Sequence, residues 1–371
     1  MSHRAHDRRY RAAVIGHTGS GDYGHRIHLA FSGIERVEMA ALADPDAGGR
    51  ERAAAACGAA RSYADYHKML DGERLDLVCV CPRWTDQREA MVTACLDAGC
   101  SIYCEKPFAT TLDEADRMLA AADRAGAKIA VAHQGVYLRQ TQQIKEQLKR
   151  GAIGELIEMR AVGKQDRRGG GEDMLVLGTH LFNTMRYFAG DAAWINAQVT
   201  MEGQPLSPEH VREPSEPVGL VAGDRVVSCV AFNNDVMGRF ESRRNHPAAG
   251  RCYGLELIGT EGRIAFNNTA AAICRDLEMW CPWEHSPQWE PMDLTYESLH
   301  EAGNHHAAAD LLEAIEADRA PLSSGRDATA ALEMIHGTYR SQLEGGRVWL
   351  PMRERGHPLA VLVQQAQTDR A

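Results

Sequence analysis

The stretch "AAVIGHTGSGDYGHRIH", Ala12 to His28, decides the fold. A short apolar run ends at Gly16 and gives way to a turn in which Gly19, Gly21 and Gly24 satisfy the pattern G-x-G-x-x-G. Glycines so spaced let the backbone turn tightly and approach a pyrophosphate, whose charge is met by amide N–H groups at the start of a following helix. The next residues, "GHRIHLAFSG", read as that helix. Asp44 closes the next apolar run, "VEMAALAD" (37–44), twenty residues after Gly24. An acid there is placed to accept hydrogen bonds from ribose hydroxyls and would repel a 2′-phosphate, so the pattern favours NAD over NADP. Gly16 to Gly24 is longer than a minimal fingerprint, and which glycines touch phosphate stays open.

Outward from this stretch, short apolar runs alternate with helical segments. "LDLVCVC" (75–81), "CSIYCE" (100–105) and "KIAVAH" (128–133) read as further strands. "RERAAAACG", "REAMVTACLDAG" and "LDEADRMLAAADRAG" read as helices, the last opened by Thr111 and Glu114 at capping-box spacing. Strands that are apolar throughout and alternate with helices predict a parallel sheet covered on both faces. From about residue 155 the rhythm changes to long strand-like runs separated only by turns: "ELIEMRAVGK", "AWINAQVTME", "RVVSCVAF", "VMGRFES", "YGLELIGTEGRIAF" and "AAICRDLEMW". These predict a largely antiparallel sheet, accompanied by helices at "LGTHLFNTMRYFAG", "HHAAADLLEAIEADRA" and "DATAALEMIHGTYRSQLEGG".

The chain has 371 residues, 44% of them hydrophobic, a formal net charge of -10 and a pI near 5.9. That length favours two domains, and the negative balance argues against nucleic acid or an anionic membrane as a general partner. No apolar run is long enough to span a bilayer, and "MSHRAHDRRYR" lacks a secretion signal, so a cytoplasmic protein is expected. The ten cysteines form no paired C-x2-C cluster and read as reduced buried thiols. Asn304, His305 and His306 are placed to cap the helix they precede; adjacent histidines point to different sides and no third ligand is evident, so no metal is assigned.

In "SIYCEKPF", Ser101 to Phe108, an acid, a base and a proline follow directly on a buried strand. Ligands of a doubly wound sheet collect beyond the carboxyl ends of its strands, where Glu105, Lys106 and Pro107 stand together with Cys81 and Pro82. With "CEKP" after the fourth strand, a glycine-rich first turn and a strand-rich second half, the sequence resembles the Gfo/Idh/MocA oxidoreductases. "LKRGAIGEL" (148–156), "LIGTEGRIAF" (257–266) and the segment from "HAAADLLEAIEADRAPL" onward carry the resemblance along the chain.

The resemblance implies an NAD-binding Rossmann domain at 1–133, a doubly wound parallel sheet, and at 134–371 an α+β domain whose open, largely antiparallel sheet serves substrate binding and assembly into a homodimer or homotetramer. It implies a catalytic Lys106 working with His180, the latter on a helix lining the substrate pocket. Gly16, Gly19, Gly21, Tyr23, Gly24, Asp44, Cys81, Pro82, Glu105, Lys106 and Gln134 are the implied cofactor contacts. Two positions depart from the pattern. The family usually places an Asp four residues before the His, where this chain has Val176, and Asn183 replaces the acid that often follows the His. Glu172 and Asp173 lie one to two turns earlier. The turn "RWTDQR" also lacks the histidine commonly found there.

Oxidising a secondary alcohol removes a hydride from carbon and a proton from oxygen, and the proton needs a base. Lys106 and His180 are the two candidates. His133, Gln134, Tyr137 and Arg139 in "HQGVYLRQ", with Lys164, Asp166 and Arg167 in "GKQDRRGGG", Asp173 and Asn183, are candidates to line the cleft for a small polyhydroxylated substrate. Trp280, Trp283 and Trp289 in "MWCPWEHSPQWE" read as core or subunit interface. The leading expectation is an NAD-dependent dehydrogenase of a sugar, glycoside, sugar acid or inositol. The alternatives are an NAD-retaining glycosidase, lyase or epimerase acting by transient oxidation, and a cofactor-binding sensor.

Overall fold

The computed structural model describes residues 8–214, 216–276 and 286–368, and the chain folds as two compact units. The first comprises Met1–Tyr137, Ser215–Gly219 and Leu299–Thr329; the second comprises Leu138–Pro214, Leu220–Ser298 and Ala330–Ala371. The first unit thus takes in, besides the N-terminal segment, two segments from later in the chain. Thr85 N–H and the Arg83 side chain bond Pro217 C=O and Glu216, which ties in the short segment. Val131 N–H bonds Ser323 C=O, which ties in the longer one.

The first unit holds six parallel strands, β1 (Tyr10–Ile15), β2 (Val37–Ala43), β3 (Arg61–Tyr63), β4 (Leu77–Val80), β5 (Ser101–Cys104) and β6 (Ile129–Val131), in the order β3-β2-β1-β4-β5-β6. β4 and β5 are buried at every residue, as expected of strands covered on both faces. β3 and the helix Tyr66–Gly72 were not foreseen; three half-polar residues at the sheet edge give no period to read. Helices α1 (Ala47–Cys57), α2 (Tyr66–Gly72), α3 (Arg88–Asp97) and α4 (Leu112–Ala125) connect the strands. α4 has the expected capping box: Thr111 Oγ accepts the Glu114 N–H and the Glu114 carboxylate accepts the Thr111 N–H.

One expected helix is absent. After the glycine-rich turn only a short 3-10 turn, Ile27–Leu29, forms. Gly19, Gly21, Asp22, Gly24 and Arg26 all adopt positive φ, so the right-handed spiral cannot start until Ile27.

The second unit is built on a sheet of β7 (Leu156–Val162), β8 (Ala192–Met201), β9 (Gln204–Pro205), β10 (Arg225–Phe232), β11 (Met237–Arg243), β12 (Gly254–Gly259), β13 (Gly262–Phe266), β14 (Ala271–Cys274), β15 (Glu290–Pro291) and β16 (Val348–Trp349). Its order is β15-β14-β13-β12-β7-β11-β10-β8-β16, with β9 on β8. All pairs are antiparallel except β11 with β7. Alternation is clear along β11, where Gly238, Phe240 and Ser242 are buried while Met237, Arg239 and Glu241 face outward. The helix Thr179–Ala189 is preceded by a π-helical turn, Met174–Gly178. Trp280 and Trp283 lie outside the described residues; Trp289 is exposed and carries the Arg263 guanidinium 5.0 Å above its ring.

Candidate functional site

The strand order of the first unit reverses between β1 and β4, the switch point at which a doubly wound sheet leaves a crevice beyond its carboxyl ends. The glycine-rich turn, Cys81, Pro82, Glu105 and Lys106 all belong to that edge. Close approach explains the glycines there. A side chain on Gly24 would stand 2.3 Å from Glu105 Oε1 and 2.7 Å from Cys81 C=O, and one on Gly21 would stand 2.6 Å from the Arg83 and Trp84 amides. Gly19 alone of the three has open space around it. Cys81 presents backbone to the turn; its thiol is buried and burial pushes its pKa up.

Glu105 is 0% and Lys106 3% exposed. Glu105 Oε1 accepts the His25 N–H at 2.6 Å and the His25 ring Nδ1–H at 2.8 Å, while Oε2 accepts the Lys106 N–H at 2.9 Å. Burial would raise the Glu105 pKa, but the His25 bonds and the nearby Lys106 charge outweigh it and hold it at about 2. His25 stacks on His300, ring centroids 5.0 Å apart. The His300 pKa is lowered by burial first and by the His25 charge second.

Asn304 corrects the capping expectation. The helix starts at Glu301, so Asn304 sits inside it and is buried. Its Nδ2 donates to His25 C=O at 2.9 Å, and its Oδ1 accepts Tyr103 Oη–H at 2.8 Å and Gln134 Nε2–H at 3.0 Å. Those partners fix both amide orientations and leave the buried Gln134 Oε1 with no partner among the described residues. A buried carbonyl of this kind costs about 1–3 kcal/mol unless a donor meets it.

Arg88, the first residue of α3, was not singled out from sequence, where it is one charge in a polar turn. It is fully buried, and its guanidinium donates to the carbonyls of Pro82, Glu105 and Pro107. It thereby clasps the ends of β4 and β5 together on one side of the crevice.

Asp44 stands apart from the other expected cofactor contacts. Expected to face ribose hydroxyls, it is 0% exposed and its carboxylate is taken up by Thr18 N–H (3.1 Å), Thr18 Oγ–H (2.7 Å), Tyr23 Oη–H (2.6 Å) and Asp46 N–H (2.9 Å). Burial and then the bond to Asp44 push the Tyr23 pKa up. The Tyr23 ring covers Gly16, where a side chain would stand 2.2 Å from it.

The other candidates divide. His133 and Tyr137 are buried, bonded to Ser323 through Nδ1 and Oη, so Tyr137 packs inside the first unit instead of presenting a hydroxyl to a cleft. In the second unit Arg139 pairs with Glu297 at 3.2 Å. Lys164 and Asp166 pair at 3.7 Å, Asp166 also accepts the Arg168 N–H, and Arg167 is exposed. Glu172 is bound by Arg212 at 2.6 Å. Asp173 is fully buried; its Oδ2 accepts Ser242 Oγ–H at 2.6 Å and Gln165 N–H at 3.1 Å, and burial raises its pKa despite both bonds. His180 is half-buried and Asn183 buried on the helix that follows the π turn. The nine described cysteines are free thiols. Among the described residues no cluster of three His, Cys, Asp or Glu could hold a metal, and no helix is long and apolar enough to cross a membrane.

Two sequence-family profiles cover most of the chain. Residues 10–133 match the oxidoreductase family with NAD-binding Rossmann fold, and residues 141–265 match the GFO/IDH/MocA C-terminal domain. The chain belongs to the Gfo/Idh/MocA oxidoreductase family. Among curated members it is 27% identical to D-apiose dehydrogenase of Paraburkholderia graminis, with 95% of this chain and 92% of that protein aligned. It is 25% identical to levoglucosan dehydrogenase of Pseudarthrobacter phenanthrenivorans, with 68% and 73% aligned. A crystal structure of levoglucosan dehydrogenase in complex with NADH and levoglucosan shares the fold, with a TM-score of 0.74, 19% identity, and 93% of this chain and all of that one covered.

The residues of this Gfo/Idh/MocA member fit a bound NAD in three respects: the switch-point order, the close-packed glycine turn and the unpaired Gln134 carbonyl. Asp44 is the exception, being already saturated.

Proposed function

We propose that this protein is an NAD-dependent dehydrogenase acting on a secondary hydroxyl of a sugar, glycoside, sugar acid or inositol. The buried Glu105–Lys106 pair at the end of β5 carries the reading, because a lysine whose charge acts on an anchored, fully buried carboxylate costs more at a strand's carboxyl end than a surface pair would. Bound NAD supplies the hydride acceptor. In this reading Lys106 holds and exchanges the hydroxyl proton, and His180 shares that duty. The Gln134 carbonyl and the Gly19 turn serve the cofactor, and Lys164, Asp166, Arg167, Asp173 and Asn183 serve the substrate. The curated relatives act on compounds of the proposed class, apiose and levoglucosan, which supports it. The reading extends to a cytoplasmic protein, supported by its free thiols, and to a homodimer or homotetramer formed through the sheet of the second unit.

The test is NADH absorbance with NAD and a panel of sugars, glycosides, sugar acids and inositols, for wild type and Lys106→Ala. NADH formation that falls at least a hundredfold in the variant supports the reading. A second reading, transient oxidation with no net redox change, is favoured by Val176 at the usual acid position. It would show as nucleotide retained through purification with no NADH released on any substrate.

A further inference from the structure

The three donor residues around Asp44 are more than packing. We propose that the glycine-rich turn plugs its own nucleotide site: the hydroxyls of Thr18 and Tyr23 stand in for the adenosine ribose diol on Asp44, so that these two residues set the affinity for the cofactor. This rests on the NAD reading and adds to it a gate.

A carboxylate offers about four acceptor positions, and four donors make five contacts with Asp44: Oδ1 accepts the Asp46 N–H at 2.9 Å and shares the Thr18 N–H at 3.3 Å, while Oδ2 accepts the Thr18 N–H at 3.1 Å and two hydroxyls. Two are backbone amides, from Thr18 and Asp46, which lie in the chain's own turns. The other two are side-chain hydroxyls, Thr18 Oγ at 2.7 Å and Tyr23 Oη at 2.6 Å, both on Oδ2. A vicinal diol presents the same pair of O–H donors. No acceptor position remains for a ribose until these leave, and Asp44 has no exposed surface through which one could enter.

The turn is built to deliver them. The residues that lengthen it beyond a minimal fingerprint close on themselves: Asp22 N–H bonds His17 C=O at 3.0 Å, and Gly19 N–H bonds the Asp22 carboxylate at 2.9 Å. This fold-back carries Thr18 over Asp44 and lays the Tyr23 ring on Gly16. Its far side is fixed by the Arg83 N–H on Gly21 C=O at 3.0 Å, while Gly19, next to Thr18, has nothing within 4 Å of its missing side chain, so the tip of the turn borders open space. Exchanging two protein hydroxyls for two ribose hydroxyls leaves the hydrogen-bond count unchanged. The free energy of opening is then subtracted from cofactor binding, as for any site whose competent form is a fraction of the whole.

The experiment is calorimetric binding of ADP-ribose and of nicotinamide mononucleotide to wild type, Tyr23→Phe, Thr18→Val and the double variant, with thermal unfolding to confirm that each is folded. The two single variants test the plug independently should one fail to fold. The expected result is that ADP-ribose binds tighter, by about tenfold in the double variant, while nicotinamide mononucleotide is unaffected because it lacks the adenosine ribose. ADP-ribose binding that is unchanged or weakened in both variants would overturn the plug and make Thr18 and Tyr23 fixed supports of Asp44. Failure of the wild type to bind NADH as well as both fragments would instead remove the NAD reading on which the plug stands.

Discussion

A carboxylate with no exposed surface stays ionised only if its neighbours replace the water it lost. Glu105 has three such neighbours: two N–H donors of His25 and the amide of Lys106. Its pKa in the folded chain, about 2, lies below the ordinary glutamate value, so the folded form binds the proton more weakly than the unfolded one. The contribution to stability is therefore complete above about pH 4.3, of order 3 kcal/mol, and is lost as pH falls through about 2. Between those limits the unfolding free energy of wild type should fall more steeply with acid than that of Glu105→Gln, followed by chemical denaturation at a series of pH values. Parallel slopes would mean that Glu105 is not ionised in the fold. Glu105 and Lys106 were legible in sequence because a charged pair after an apolar strand is unusual at any level of detail. His25, His300 and Asn304 were not, since their partners lie far away in sequence and each residue is locally ordinary.

At the scale of elements, helices and strands with strong periodicity were legible and the glycine turn was not. α4 announced itself by its capping box and apolar face, and Thr111→Ala should cost about 1 kcal/mol in thermal unfolding without changing cofactor binding. The turn misled because G-x-G-x-x-G is read as the start of a helix, whereas here positive φ values at five positions between Gly19 and Arg26 interrupt any right-handed spiral. α3 shows the opposite case, in which an element's first residue does work that no local pattern reveals. Arg88 joins the end of β4 to the end of β5 through three carbonyls. Arg88→Met leaves those carbonyls unpaired in a buried place, at about 1–3 kcal/mol each, and should destabilise the protein by at least 3 kcal/mol in denaturant unfolding. Arg88→Lys, which restores a charge and some donors, should recover part of the loss. A change within 0.5 kcal/mol for the methionine variant, the range usual for surface substitutions, would show that solvent reaches these carbonyls.

For the molecule as a whole, the sheet of the second unit bears on assembly. One of its faces is apolar and buried, through Met159, Ala161, Phe240, Leu255 and Leu257. The other carries Glu158, Arg160, Arg239, Glu241 and Glu256 along a groove of about 890 Å³. Arg160 pairs with Glu158 at 2.8 Å and Arg239 with Glu241 at 2.8 Å, so both signs of charge alternate over the same face. A face that presents both signs can meet a copy of itself about a twofold axis, each arginine opposite an acid of the partner. Reversing both arginines, Arg160→Glu with Arg239→Glu, leaves only acids among these five side chains. Sedimentation velocity should then show wild type as a dimer or tetramer and the double variant as a monomer at low salt, with partial reassociation at high salt as the repulsion is screened. A monomeric wild type, or a variant that assembles as wild type does, would rule out this face as the contact. Because the substitutions lie on the outward side of β7 and β11, away from the buried core of the sheet, unfolding temperatures should stay close to wild type. Loss of assembly with an intact fold would then report on the face itself.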